Sequence, residues 1–176
     1  MGLLGLFRRP RHERTGFVLY GCAVAAARAP HFYADLGVPD TAAGRFELVS
    51  LHTGLVIRRL RAEPGPETDA LAQAVFDAMF SDMDVNLREM GISDLRIGKR
   101  VKMLWEGFHG RAQSYADTLD AADAAALAAA LERNIWVNEA APEGSGAALA
   151  EHAMALDARL GAQPVEALMK GEVSFA

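Results

Sequence analysis

From Asp82 to Leu119 the apolar residues fall twice at helical spacing, with a single glycine separating the two runs. Met83, Leu87 and Met90 form the first stripe, and Gly91, suited to the left-handed turn that closes a helix, ends it. Ile97, Val101, Leu104, Trp105, Phe108, Ala112, Tyr115 and Leu119 form the second. Steps of three and four put these residues on one side of a helix and leave Lys99, Lys102, Glu106 and Gln113 on the other. A chain spaced this way buries its apolar residues only by packing helix on helix. The same spacing recurs along the chain with little strand signal, so the expected fold class is all-α, a single-domain bundle of about six to seven helices.

The helices are predicted as follows. The first runs from Thr15 to Arg28, ahead of Pro30, and His31–Pro39 connects it to a long helix from Thr41 to Arg61. Pro64-Gly65-Pro66 stops that helix. A third covers Glu67–Met90, with Glu67 and Asp69 in the first turn where they favour the helix dipole. Ser93 or Asp94 caps the fourth, Arg96–Thr118. Asp120 caps an Ala-rich fifth, with Asp123 three residues on, and Ser145 caps a sixth that Gly161 closes. Pro164 opens a short last turn before Gly171. Residues 1–14 read as a flexible basic and apolar tail, 15–171 as the helical domain and 172–176 as a second tail.

At 176 residues the chain supports one domain with a core. The single cysteine, Cys22, sits in an apolar stretch and reads as a small buried hydrophobe in a reducing compartment. Residues 1–111 carry 15 Lys+Arg against 13 Asp+Glu, and residues 112–176 carry 3 against 10. The mildly basic front can face an anionic partner, but it is not basic enough for general nucleic-acid binding. No run reaches membrane-spanning length. Arg8, Arg9, Arg11 and Arg14 before Phe17–Ala27 give the outline of a signal peptide, but Tyr20 and Gly21 interrupt it, and the stretch reads as the first core helix. Leu3, Leu4, Leu6 and Phe7 ahead of Arg8 and Arg9 have the makings of an interfacial membrane contact.

Catalytic motifs are sparse. Gly98-Lys99 lacks the surrounding pattern of a phosphate loop. No two of the five histidines stand three or four residues apart, so a histidine metal site would need convergence in three dimensions. Asp82, Asp84, Glu89 and Asp94 are the best carboxylate group for a divalent metal, but neighbours two apart on a helix diverge. Asp82 and Asp84 therefore read as one partner for Arg88 and one solvated group. Met103, Gly107, Gly110 and Ser114 line one edge of the fourth helix. Two glycines inside a helix cost about 1 kcal/mol each, which close approach of another helix, internal or from a partner, would offset. Met79, Met83, Met90 and Met103 read as core, or as adaptable surface in a groove.

The stretches FYADLGVPDTAAGRFELVSLHTGLVIRRL and DVNLREMGISDLRIGKRVKMLWEGFHGRAQSYADTL resemble the ubiquinol–cytochrome c chaperone family, and the similarity extends from Pro30 to Met169. The resemblance implies an all-helical, non-enzymatic protein without a cofactor. It implies that mitochondrial members work with a small helical partner near the ribosomal tunnel exit and take hold of newly made cytochrome b before haem insertion. Lacking the long N-terminal extension of those members, this chain is expected to be a bacterial member, cytoplasmic, with contact to the inner face of the membrane open to it.

The expected client is nascent or unassembled cytochrome b of a cytochrome bc1 complex. Its expected surface is Arg96, Lys99, Arg100, Lys102, Trp105, Phe108, Arg111 and Tyr115. The rival readings are a ribosome or membrane-surface adaptor that binds no client, and a metal-dependent enzyme built on Asp82, Asp84 or Asp94.

Overall fold

The computed structural model describes residues 4–137 and 139–176, with the backbone alone at 4–11, 94 and 95. Among the described residues there are eight helices: α1 Leu4–Ala27, α2 Pro30–Ala34, α3 Ala42–Arg61, α4 Pro66–Glu89, α5 Asp94–Asp120, α6 Ala124–Ile135, α7 Ser145–Ala162 and α8 Val165–Leu168. Six are long, while α2 and α8 are single turns of 5 and 4 residues. The all-α bundle expected from the apolar spacing is the architecture observed.

Helix α3 runs through the centre. Leu48, Leu51, Leu55, Val56 and Leu60 are all buried, and so are Ser50, His52 and Thr53 on its other sides. A helix enclosed all round needs neighbours on every face, and α1, α4, α5, α6 and α7 supply them. Its start is set by Thr41, whose hydroxyl accepts from the Gly44 N–H at 3.2 Å.

Helix α1 buries Leu19, Ala23 and Ala27 completely, one residue per turn, so Phe17–Ala27 is a core helix. It crosses α4 closely at Gly16, where an added Cβ would stand 2.6 Å from the Ala74 carbonyl carbon and 2.7 Å from its oxygen. α1 begins at Leu4 rather than Thr15. His12, placed in the tail by the sequence reading, is held at 3.1 Å from Glu67 of α4, which carries the helix beyond its apolar stripe.

Other boundaries differ for local reasons. Pro30 opens α2 in its first turn, where its missing N–H is no loss. Gly91 (φ +78°) ends α4 as expected. Gly91 N–H bonds to Arg88 O at 2.9 Å and Ile92 N–H to Leu87 O at 3.1 Å, the paired bonds of a Schellman closure. α5 runs on to Asp120, and Asp123, not Asp120, caps α6 by accepting from Ala126 N–H at 2.9 Å. Asp120 instead accepts from Arg58 at 2.6 Å. Gly144, at φ +79°, takes the capping place expected of Ser145, and α7 continues through Gly161. Residues 172–176 are strapped to the bundle: Gln163 bonds both the N–H and the C=O of Ser174, at 2.8 and 2.9 Å.

Candidate functional site

The α4–α5 hairpin and its seam with α3 bring together the most chemistry in the fold. The inward face of α5 is the expected stripe: Ile97, Phe108 and Tyr115 are buried, and Leu104, Ala112 and Leu119 are partly so. The Tyr115 hydroxyl accepts from Asn134 at 3.0 Å, and burial pushes the phenol up to about 12. Arg111 also turns inward. Its Nε lies 2.8 Å from Glu47 Oε2 on α3, and its guanidinium sits 5.7 Å from the centre of the Phe46 ring. Burial raises the Glu47 carboxyl to about 7 against the pull of Arg111. The two atoms are sealed from solvent and close, but they are not aligned as a hydrogen bond, so the pairing does not offset desolvation.

The eight residues expected to form one client surface therefore divide. Arg96, Lys99, Arg100 and Lys102 face solvent, and among the described residues their one ion-pair contact is a long 3.8 Å approach of Lys102 to Glu106. Trp105 is 45% exposed. Phe108 and Tyr115 belong to the core, and Arg111 is tied to Glu47. Met79 is fully buried and Met83 partly so, whereas Met90 and Met103 are exposed. The residues expected to touch a membrane lie outside the description: Leu3 altogether, and the side chains of Leu4, Leu6, Phe7, Arg8 and Arg9. The edge of Met103, Gly107, Gly110 and Ser114 has no internal helix against Gly110, where a Cβ would meet nothing within 4 Å.

Aromatic rings form a continuous lane across the seam. Phe80 lies 4.6 Å from Phe76, Phe76 lies 5.6 Å from Phe108 and 5.1 Å from His109, and His109 stacks on Trp105 at 4.1 Å. The lane enters a groove of about 570 Å³ between α3, α4, α5 and α7, floored by Gly54, Ile57, Phe108 and Ala112. Its rim carries Arg58 and Arg61. Arg58 is anchored to Asp157 at 3.0 Å and Asp120 at 2.6 Å. An apolar floor with a charged rim suits an apolar segment whose flanks are polar.

Phe76, Phe80 and His109 were not among the expected site residues. The signal for the two phenylalanines was their place on the Met83–Leu87 side of α4, and His109 stands one turn after Trp105. Asp82 and Asp84 do not converge on a metal: Asp82 accepts from the Tyr20 hydroxyl at 2.6 Å, and Asp84 pairs with Arg88 at 2.7 Å. Among the described residues no three His, Cys, Asp or Glu side chains are arranged to hold a metal ion. None of their helices is long and apolar enough to cross a membrane.

The chain belongs to the ubiquinol-cytochrome C chaperone family, whose profile matches residues 34–175. It is also similar to the crystal structure of the Cbp3 homolog from Brucella abortus, at 40% identity and a TM-score of 0.86, over 99% of this chain and 97% of that one. No curated protein sequence matches it. Membership gives the chain a ubiquinol–cytochrome c chaperone role, with a protein client of the bc1 complex.

Proposed function

We propose that this chain is a non-enzymatic assembly chaperone whose client is cytochrome b, newly made or not yet assembled, and that it meets this client at the inner face of the cytoplasmic membrane. The observation that carries the reading is the half-exposed aromatic lane from Phe80 to Trp105 opening into the groove. A membrane subunit outside the bilayer exposes apolar helices joined by charged loops. Aromatic rings shield such a helix at low cost in side-chain entropy, because few torsions are fixed on contact. The basic residues Arg96, Lys99, Arg100 and Lys102 lie on the same hairpin and suit acidic loop segments of the client.

Photo-crosslinking in cells tests the reading. A benzophenone side chain at Trp105 or Phe76 should capture cytochrome b, and one at Val137, which is exposed but outside the groove, should not. Equal capture from all three positions, or none from the first two, refutes the groove as client site. Normal levels of haem-loaded cytochrome b in a deletion strain refute the function. Charge reversal belongs at Lys99 and Arg100, since reversing Arg111 would set a second carboxylate beside Glu47.

A further inference from the structure

His31, His52 and His152, far apart in the sequence, meet under the C-terminal strap. His52 is 1% exposed at the heart of α3. Its Nδ1 lies 2.8 Å from the Leu48 carbonyl oxygen, which can only accept, so Nδ1 carries the hydrogen and Nε2 offers a lone pair. Nε2 of His152 on α7 stands 3.3 Å away and must therefore donate to it. Phe32 packs edge-on against both rings, at 5.5 and 4.9 Å, and Phe175 of the strap lies 6.1 Å from His52.

We propose that the His52–His152 pair is a proton-operated latch for the strap of residues 171–176, holding it closed while both rings are neutral and releasing it when His152 and then His52 take up protons. A proton on His152 enters at Nδ1 and makes the ring a cation. The charged groups facing it are His31 of α2, with ring centres 6.0 Å apart, and Arg159 of its own helix. No carboxylate among the described residues pairs with any of the three imidazoles. Burial, followed by the neighbouring cations, resists charging at His152, and burial resists it more strongly at His52. A proton on His52 has only Nε2 to occupy, and two N–H groups then point at each other across 3.3 Å. The bond is lost and the ring beneath Phe175 must move.

The strap is built to yield first. Arg159, the cation that opposes a charged His152, also donates to the Phe175 carbonyl at 2.9 Å. Its other anchor is Gln163, whose own carbonyl accepts from Arg59 at the groove at 2.8 Å. Release would thus loosen a residue that also positions the groove wall, and in that respect the latch rests on the client reading. A few exposed hydrogen bonds open at lower free energy than the core.

NMR of the full chain without client tests the latch independently of any client. From pH 7.5 to 3 the Ser174 amide and Phe175 ring signals should leave their folded positions in step with the His52 ring, after the His152 ring has titrated, while Leu149 and Leu156 methyl signals hold. Strap signals unmoved through the His52 titration overturn the proposal. So does loss of the two leucine signals in step with the strap, which would be global acid unfolding. His152→Gln keeps an N–H aimed at His52 but takes up no proton, so it removes the positive charge beside which His52 must be protonated and should raise the release midpoint by about half a pH unit; a wild-type midpoint overturns the latch. His31→Gln, on the exposed face of α2, should raise it by about half a pH unit, the effect of removing one positive charge ~6 Å away in water. No change there overturns the role given to charge.

Discussion

Two glycine-to-alanine substitutions should act in opposite directions. At Gly16 the new Cβ would stand 2.6 Å from the Ala74 carbonyl carbon and 2.7 Å from its oxygen, both backbone atoms of α4 that cannot turn aside. Ordinary contact begins at 3.4 Å, so α1 must retreat by 3.4 − 2.6 = 0.8 Å along a helix that buries Leu19, Ala23 and Ala27. Overpacking of this kind costs about 1–3 kcal/mol, offset in part by ~1 kcal/mol of helix propensity. Gly16→Ala should therefore lose up to about 2 kcal/mol net and lower Tm by up to ~8 °C. Gly110 has nothing within 4 Å of the same atom, so Gly110→Ala should gain about 0.5–1 kcal/mol and raise Tm by ~1–4 °C. Urea unfolding with unchanged slope, together with thermal melts, measures both. Destabilisation by Gly110→Ala would refute the open edge, and a gain from Gly16→Ala equal to that from Gly110→Ala would refute the close α1–α4 crossing.

The Glu47 carboxyl, raised by burial to about 7 from an ordinary 4.5, keeps a proton in the folded state that the unfolded state has lost. Its contribution is complete below pH 4.5 and disappears as pH rises through 7. Wild type should therefore weaken relative to Glu47→Gln by roughly 3 kcal/mol between pH 4.5 and 8, and a flat difference in urea stability across that range refutes the shift. Ala122 holds φ at +50°, which costs a residue with a Cβ about 1–2 kcal/mol. Ala122→Gly should raise stability by ~1 kcal/mol, and an unchanged or lowered urea midpoint contradicts it. Asp123→Ala should lose about 1 kcal/mol through the missing cap on α6, and the same denaturation series checks this.

The inward stripe of α5 was legible because Ile97, Phe108 and Tyr115 recur at helical spacing, and a helix repeats its environment at that period. The client surface was only half legible. Spacing places Arg111 near the solvent side of the stripe, but a long side chain reaches across the seam and finds Glu47 on another helix. Trp105 was chosen for its type. The lane that gives it meaning needs Phe76 and Phe80 from α4, and no pattern within α5 contains them.

The sequence alone determined the helices, the Gly91 turn and the family, because each depends on residues near one another along the chain. Tertiary structure decided what those residues face. It turned Gly16, unremarked in the sequence, into a close helix crossing, and left Gly110, expected to pack, in open space. It also brought His52 and His152, 100 residues apart, to 3.3 Å. Distances of that kind arise where two helices cross, and apolar period within a single helix carries no information about the crossing point.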